Sequence, residues 1–180
     1  MMKNWELYNI FYTAFGWASF GLDQGGMRFL ILPDEDKEFI YNKTKSYARL
    51  FNCYRINKES ESLIDMIKDY FEGKRVDFSG FPLNLKQFTK FQREIYQTVS
   101  KIPYGNVLSY KKVAEISGYP KAFRAVGTTM KKNLIPLIIP CHRVIKSDGC
   151  LGGFSSKGGI ELKRRMLKME SGFCHIKVLN

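Results

Sequence analysis

The sequence predicts an α+β protein in two parts: an N-terminal α+β domain over residues 1–85 and a mostly helical domain over residues 86–180. Three observations predict it. Runs rich in aromatic and branched residues gather near the start, helical spacing dominates the second half, and the charge divides between them. Residues 1–85 carry 11 Lys and Arg against 12 Asp and Glu, a net of −1, whereas residues 86–180 carry 18 against 5, a net of +13. At 180 residues and 44% hydrophobic, the chain is long enough to bury a core in one large domain or two small ones.

The elements follow in order. Residues 5–12, WELYNIFY, and 27–32, MRFLIL, flank a glycine-bearing stretch that includes DQGG and read as strands joined by turns. After the acidic DEDKE, residues 59–72 set Leu63, Ile64, Ile67 and Phe71 at helical spacing, and Gly73 stops the helix. GKRVDFSGFPLNLKQ has glycine and proline punctuation and no helical stripe, so the junction falls there, near residue 85. Thr89 and Gln92 then form a capping box for a helix over about 90–101, with Phe91, Ile95 and Val99 as its stripe. Ser109 caps a helix over 110–117, SGYP breaks it, and Pro120 opens another that reaches about Lys132. Two short helices across a tight glycine turn make a helix-turn-helix shape. The second carries Ala122, Ala125 and Gly127 among Lys121, Arg124, Lys131 and Lys132. Small residues flanked by cations suit close approach to a nucleic-acid backbone or groove, and equally suit tight core packing. A last helix, IELKRRMLKME, puts Lys163, Met166 or Leu167, and Glu170 on one face.

Composition excludes several classes. No apolar run reaches the roughly 18 residues of a membrane span, and the first 20 residues contain polar and glycine breaks unlike a signal peptide. The expectation is a soluble, unprocessed, cytoplasmic protein, or a nuclear one in a eukaryote. Cys53, Cys141, Cys150 and Cys174 form no CxxC pair, and His142 and His175 are the only histidines, so neither a metal cage nor a disulfide framework is indicated. The basic half points to a polyanion, most simply nucleic acid.

The stretch LIIPCHRVI, residues 137–145, raises the question of chemistry. A thiol reacts as thiolate, and thiolate needs a base or cation; His142 adjoins Cys141 and Arg143 follows. Pro140 fixes the local φ, and the glycine-rich SDGCLGGFSSKGG over 147–159 is the kind of loop that closes over a ligand. Adjacent Cys and His side chains usually diverge, so a water bridge is the expected link. Glu170 at its helix end reads either as the group that orients His142 or as a surface carboxylate, and Cys141 as a nucleophile or a buried inert thiol.

The segment from IPYGNVLSYKKVAEISGYPKAFRAVG through PCHRV to KRRMLKME, about Phe91 to Glu170, closely resembles the C-terminal domain of the O6-alkylguanine-DNA alkyltransferases. The resemblance implies a winged helix-turn-helix-like DNA-binding unit behind a small ribonuclease-H-like N-terminal domain. It further implies single-turnover repair of O6-alkylguanine, and of O4-alkylthymine, in double-stranded DNA, with base flipping from the minor groove, little sequence preference and a monomeric protein. Cys141 would take the alkyl group, His142 would remove the thiol proton through a water, Glu170 would orient His142, Asn133 would brace the turn into the active-site strand, and Tyr110 would donate to N3 of the leaving guanine. Arg124 would be the finger that replaces the flipped nucleotide. Lys111, Tyr119, Ala122, Gly127 and Ser147, with Tyr110, would meet DNA. Met130, Pro136, Val144, Phe154, Ser155 and Lys163 would form the substrate pocket. Neither cofactor nor metal is implied.

The chain departs from the family pattern in three places. Phe154 stands where many relatives have tyrosine, SSKGG is about two residues longer than the common loop, and the N-terminal zinc ligands of some relatives have no counterpart. The alternatives are a non-catalytic binder of alkylated DNA, which lacks the cysteine in that family, a thiol-based transcriptional regulator, and a cysteine hydrolase.

Overall fold

The computed structural model describes residues 9–53, 58–171 and 177–178. The expected strand residues 5–8, with Cys174 and His175, lie outside them. The chain divides into two compact units, Met1–Leu85 and Lys86–Asn180.

In the first unit, β1 (Asn9–Thr13), β2 (Gly16–Asp23) and β3 (Gly26–Asp34) form an antiparallel meander in the order β1-β2-β3. The sequence suggested two strands around glycines; a third strand, β2, occupies the middle. Gly16 has φ +119° and a Cβ on it would lie 2.6 Å from the Asp34 carbonyl oxygen, so the first turn admits only glycine. Helix α1 (Lys37–Phe51), not anticipated, is capped by Asp36, whose side chain accepts from the Phe39 N–H at 2.9 Å, and ends on Asn52 in the left-handed region. Its Thr44 hydroxyl meets that of Ser19 on β2 at 2.6 Å, a buried polar pair that fixes the helix on the sheet. Helix α2 (Lys58–Phe71) buries Leu63, Ile67, Tyr70 and Phe71, and Gly73 at φ +88° follows it.

The second unit begins with α3 (Lys90–Ser100), whose start carries the reciprocal Thr89–Gln92 capping box. Its buried stripe is Ile95, Tyr96 and Val99; Phe91 is half-buried and packs edge-on against Tyr119 instead. Strand β4 (Asn106–Ser109) leads into α4 (Tyr110–Ile116), capped by Ser109, whose hydroxyl accepts from the Lys112 N–H. Gly118 at φ +82° turns the chain toward α5 (Phe123–Lys131). Pro120 does not open this helix: it sits in the preceding turn, and α5 starts at Phe123 after Ala122, with no side-chain cap. The Tyr96 hydroxyl donates to the Thr129 carbonyl and the Ser117 hydroxyl to that of Thr98, which lock α5 and α4 onto α3. A short 3₁₀ turn (Cys141–Arg143) runs into β5 (Val144–Ile145). After a loop come α6 (Gly159–Ser171) and β6 (Lys177–Val178), and the strands form a parallel ladder in the order β5-β4-β6. Among the described residues no helix is long and apolar enough to cross a membrane.

Candidate active site

Asn133, just past α5, shapes the approach to the cysteine. Its Oδ1 accepts from the Ile135 N–H at 3.0 Å and its Nδ2 donates to the Ile139 carbonyl at 2.9 Å, so one buried side chain clamps both ends of the 133–139 turn. The same side chain hydrogen-bonds the Cys141 thiol. Leu137 within the turn holds φ +75°, a conformation uncommon for a branched residue and kept here by complete burial. The turn delivers Cys141 to the 3₁₀ turn rather than to a strand, a correction to the expectation; the strand starts three residues later, at Val144.

Beside the thiol lies a buried charge network. His142 Nε2 is 2.8 Å from Glu170 Oε1, and neither side chain has solvent exposure. Arg143 forks onto the same carboxylate, Nη2 to Oε1 at 2.9 Å and Nε to Oε2 at 2.9 Å, and its Nη1 donates to the Ile102 carbonyl at 2.7 Å. The Gly105 N–H reaches Oε2 at 3.2 Å. Burial alone would push the Glu170 carboxyl up; the His142 contact and the guanidinium fork overcome it and hold Glu170 well below the usual carboxylate range. An ionised carboxylate only accepts, so His142 carries its proton on Nε2 and Nδ1 is the basic nitrogen. Burial pushes His142 down, and the Arg143 and Lys163 charges add to that, against the pull of Glu170. At neutral pH the ring is therefore a neutral base.

Burial also pushes the Cys141 thiol up, against the lowering influence of Asn133 and the Lys163 charge. The resting group is a thiol, so a reaction at sulfur needs a base at the moment of reaction. Lys163 lies wholly buried on α6, pushed down to about 8 by desolvation. Its Nζ donates to the carbonyls of Val144 and Leu151, each at 2.6 Å, which ties the strand after Cys141 to the glycine loop.

A cavity of about 480 Å³ opens over Cys141. Tyr110, Gly127, Met130, Phe154 and Ser155 line it. Pro136, Val144 and Lys163 do not: Lys163 and Val144 form the scaffold through the hydrogen bond just described, and Pro136 belongs to the clamped turn. Phe123, Lys131, Lys146, Gly152 and Gly153 complete the lining. Glycine is favoured at 152, because the backbone holds φ +70° and a Cβ there would crowd the Tyr110 hydroxyl oxygen at 3.1 Å.

The expected DNA-facing residues lie on the surface of the same unit. Arg124, Lys111 and Ser147 are exposed and Ala122 is half-buried. Lys111 Nζ is 4.0 Å from Glu115 one turn on, and the Tyr119 hydroxyl donates to Glu94. Two residues escaped the sequence reading. The sequence marks Arg143 only as a cation near the cysteine, whereas its burial and fork make it the counter-ion of Glu170; an arginine two residues past the cysteine, with a single carboxylate at the end of the last helix, is the available signal. Phe123 was passed over among its small neighbours. Among the described residues no cluster of His, Cys, Asp or Glu could hold a metal ion.

Comparison with known proteins bears on this site. Residues 90–172 match the family model described as 6-O-methylguanine DNA methyltransferase, DNA binding domain. A methylated-DNA–protein-cysteine methyltransferase of Metallosphaera sedula is 40% identical over 120 residues, 67% of this chain and 73% of that one. Another, from Saccharolobus islandicus, is 36% identical over 155 residues, covering 84% and 94%. The crystal structure of the Mycobacterium tuberculosis O6-methylguanine methyltransferase superposes with a TM-score of 0.74 at 28% identity, over 94% of each chain. Its complex with DNA gives 0.72 at 29% identity, over 91% and 92%.

Proposed function

The chain belongs to the methylated-DNA–protein-cysteine methyltransferase family, and from that premise we propose that Cys141 is the sulfur that receives the alkyl group when this protein repairs DNA. The observation that carries the assignment is the joint placement of the thiol on the cavity wall and of the His142–Glu170–Arg143 network beside it.

The chemistry follows from that placement. His142, neutral and proton-free at Nδ1, takes the thiol proton through a water. The Cys141 sulfur attacks the alkyl carbon on O6; the sulfur–carbon bond forms as the carbon–oxygen bond breaks, and the electron pair leaves on the purine. Tyr110, on the cavity wall, donates to N3 and relieves the charge that accumulates there, and burial, which pushes its hydroxyl up, keeps that proton available. Asn133 holds the cysteine in register. The product thioether has no leaving group that this site activates, so each molecule acts once.

An O6-alkyl group is stacked inside the duplex, so the nucleotide has to leave the helix before it reaches the cavity. Arg124, exposed next to the cavity-lining Phe123, is the side chain that replaces it. The α4–α5 pair approaches through the minor groove, where Ala122, Ala125 and Gly127 permit close contact. Lys111, Tyr119 and Ser147 contact the backbone, the protein acts as a monomer, and binding is indifferent to sequence.

Incubation with duplex DNA carrying O6-methylguanine adds one methyl mass to the peptide containing Cys141, at no more than one equivalent, as read by peptide mass spectrometry. Methyl on Cys53, Cys150 or Cys174, or turnover beyond one equivalent, would overturn the reading.

A further inference from the structure

Phe123 stands apart from the other large apolar side chains. It is 44% exposed, and of the exposed large hydrophobic residues described, which include Tyr12, Leu50, Ile116 and Ile160, it alone lines the cavity over Cys141. Cys141, on the same lining, is 5% exposed, so the cavity runs from a buried sulfur to a solvent-facing aromatic rim. The Arg124 guanidinium lies over the Phe123 ring, 5.6 Å from its centroid, within cation–π range. The ring is thus partnered by a cation while it also borders the cavity. Gly152 and Gly153 on the same lining contribute no side chains, which leaves room for a flat group.

Phe123 lies off the buried face of α5, which is formed by Val126, Thr129 and Met130. The first turn of α5 otherwise exposes Arg124 and Ala125, and its first buried residue is Val126. A ring left in water at the entrance of a cavity whose other walls include Tyr110 and Phe154 suits a planar heteroaromatic ligand, because a stacked base recovers apolar contact on its π face.

We propose that Phe123 is a substrate-binding residue: its ring stacks on the extruded alkylpurine at the cavity rim, so the base exchanges its neighbours in the duplex for an aromatic partner in the protein. The proposal rests on the alkyl-transfer reading above. It differs from an insertion role, because a residue that entered the duplex would matter only for DNA, whereas a rim that holds the base matters for any purine that enters.

The test is single-turnover alkyl transfer to Cys141 from O6-methylguanine in duplex DNA and from free O6-benzylguanine, with the full chain and its Phe123→Ala, Phe123→Leu and Phe123→Tyr variants. Phe123→Ala and Phe123→Leu should raise the half-saturation concentration about tenfold or more on both substrates, in line with the loss of one base–aromatic stack, while Phe123→Tyr restores it. Melting temperatures should stay within a few degrees of one another, since the residue is 44% exposed and lies off the buried face of its helix. A Phe123→Ala protein indistinguishable from wild type, a Phe123→Leu protein that matches it, or a loss confined to the duplex would each overturn the proposal. Failure of the alkyl-transfer reading is separate: there the wild-type protein itself acquires no alkyl group on Cys141.

Discussion

At the scale of the residue, the site depends on keeping a histidine neutral beside an ionised carboxylate. Burial keeps the imidazole neutral, and the His142 contact with the Arg143 fork keeps Glu170 ionised, the Arg143 charge adding to the downward push on His142. Because the folded His142 resists protonation below its ordinary value of 6.5, the rate of alkyl transfer should stay level as pH falls past that value and drop only further down, as the ring finally charges. The sign for stability is the same. The unfolded chain takes up the His142 proton first, and the ion-paired Glu170 contributes stability above its ordinary 4.5 that is lost as pH falls through its lower folded value, so acid destabilises through both groups. Arg143→Met should move the acid limb of the pH–rate profile upward and lower stability by about 3–5 kcal/mol, the cost of removing one partner of a buried ion pair. Single-turnover rates across pH and urea melts measure the two effects. At this scale the adjacency of Cys141 and His142 was legible, whereas Glu170 read equally as a surface carboxylate, because nothing local to its helix shows that the carboxylate is buried against His142. Arg143 was obscured because arginine is mostly a surface residue, and its burial depends on a carboxylate 27 residues away.

At the scale of the element, the clamped turn 133–139 and the start of α3 have similar local chemistry and different consequences. Asn133→Ala leaves the Ile135 N–H and the Ile139 carbonyl without their buried partner and removes a hydrogen bond to the thiol. The expected cost is about 2–4 kcal/mol, together with slower alkyl transfer. Thr89→Ala breaks the capping box at about 1 kcal/mol and should leave the transfer rate unchanged, because α3 supports the helix pair and does not line the cavity. Denaturant melts paired with single-turnover rates separate the two. Helix boundaries with strong caps, such as Thr89 and Ser109, were legible. Helix α1 was not, because its buried residues Ile40, Thr44 and Ala48 make a narrow stripe with only one large apolar side chain, and Asp36 and Asn52 at its ends were the surer sign. Strand β2 was hidden for another reason: buried along most of its length on both faces and interrupted by glycine, it shows no alternation. Pro120 misled because a proline suits the first helical turn, yet here it fixes the turn before α5.

At the scale of the whole molecule, the excess of positive charge in residues 86–180 is the most general expectation from the sequence, and it needs no knowledge of any single contact. If it serves phosphate contacts, affinity for duplex DNA should fall about tenfold or more between 50 and 200 mM salt, and random and defined duplexes should compete equally. Fluorescence titrations at several salt concentrations check both; steep preference for one sequence would return the transcriptional-regulator reading. Residues 1–85, close to neutral, have no comparable electrostatic pull toward DNA.

The Glu170 carboxylate offers about four lone-pair positions, and His142 Nε2, both forking nitrogens of Arg143 and the Gly105 amide already point at them. Such a group cannot also serve as the terminus of a relay. The proton path then runs from sulfur through the water to the imidazole and stops at Nδ1. A proton-inventory experiment in mixed light and heavy water would accordingly show the curvature of the two hydrogens on that path and no third.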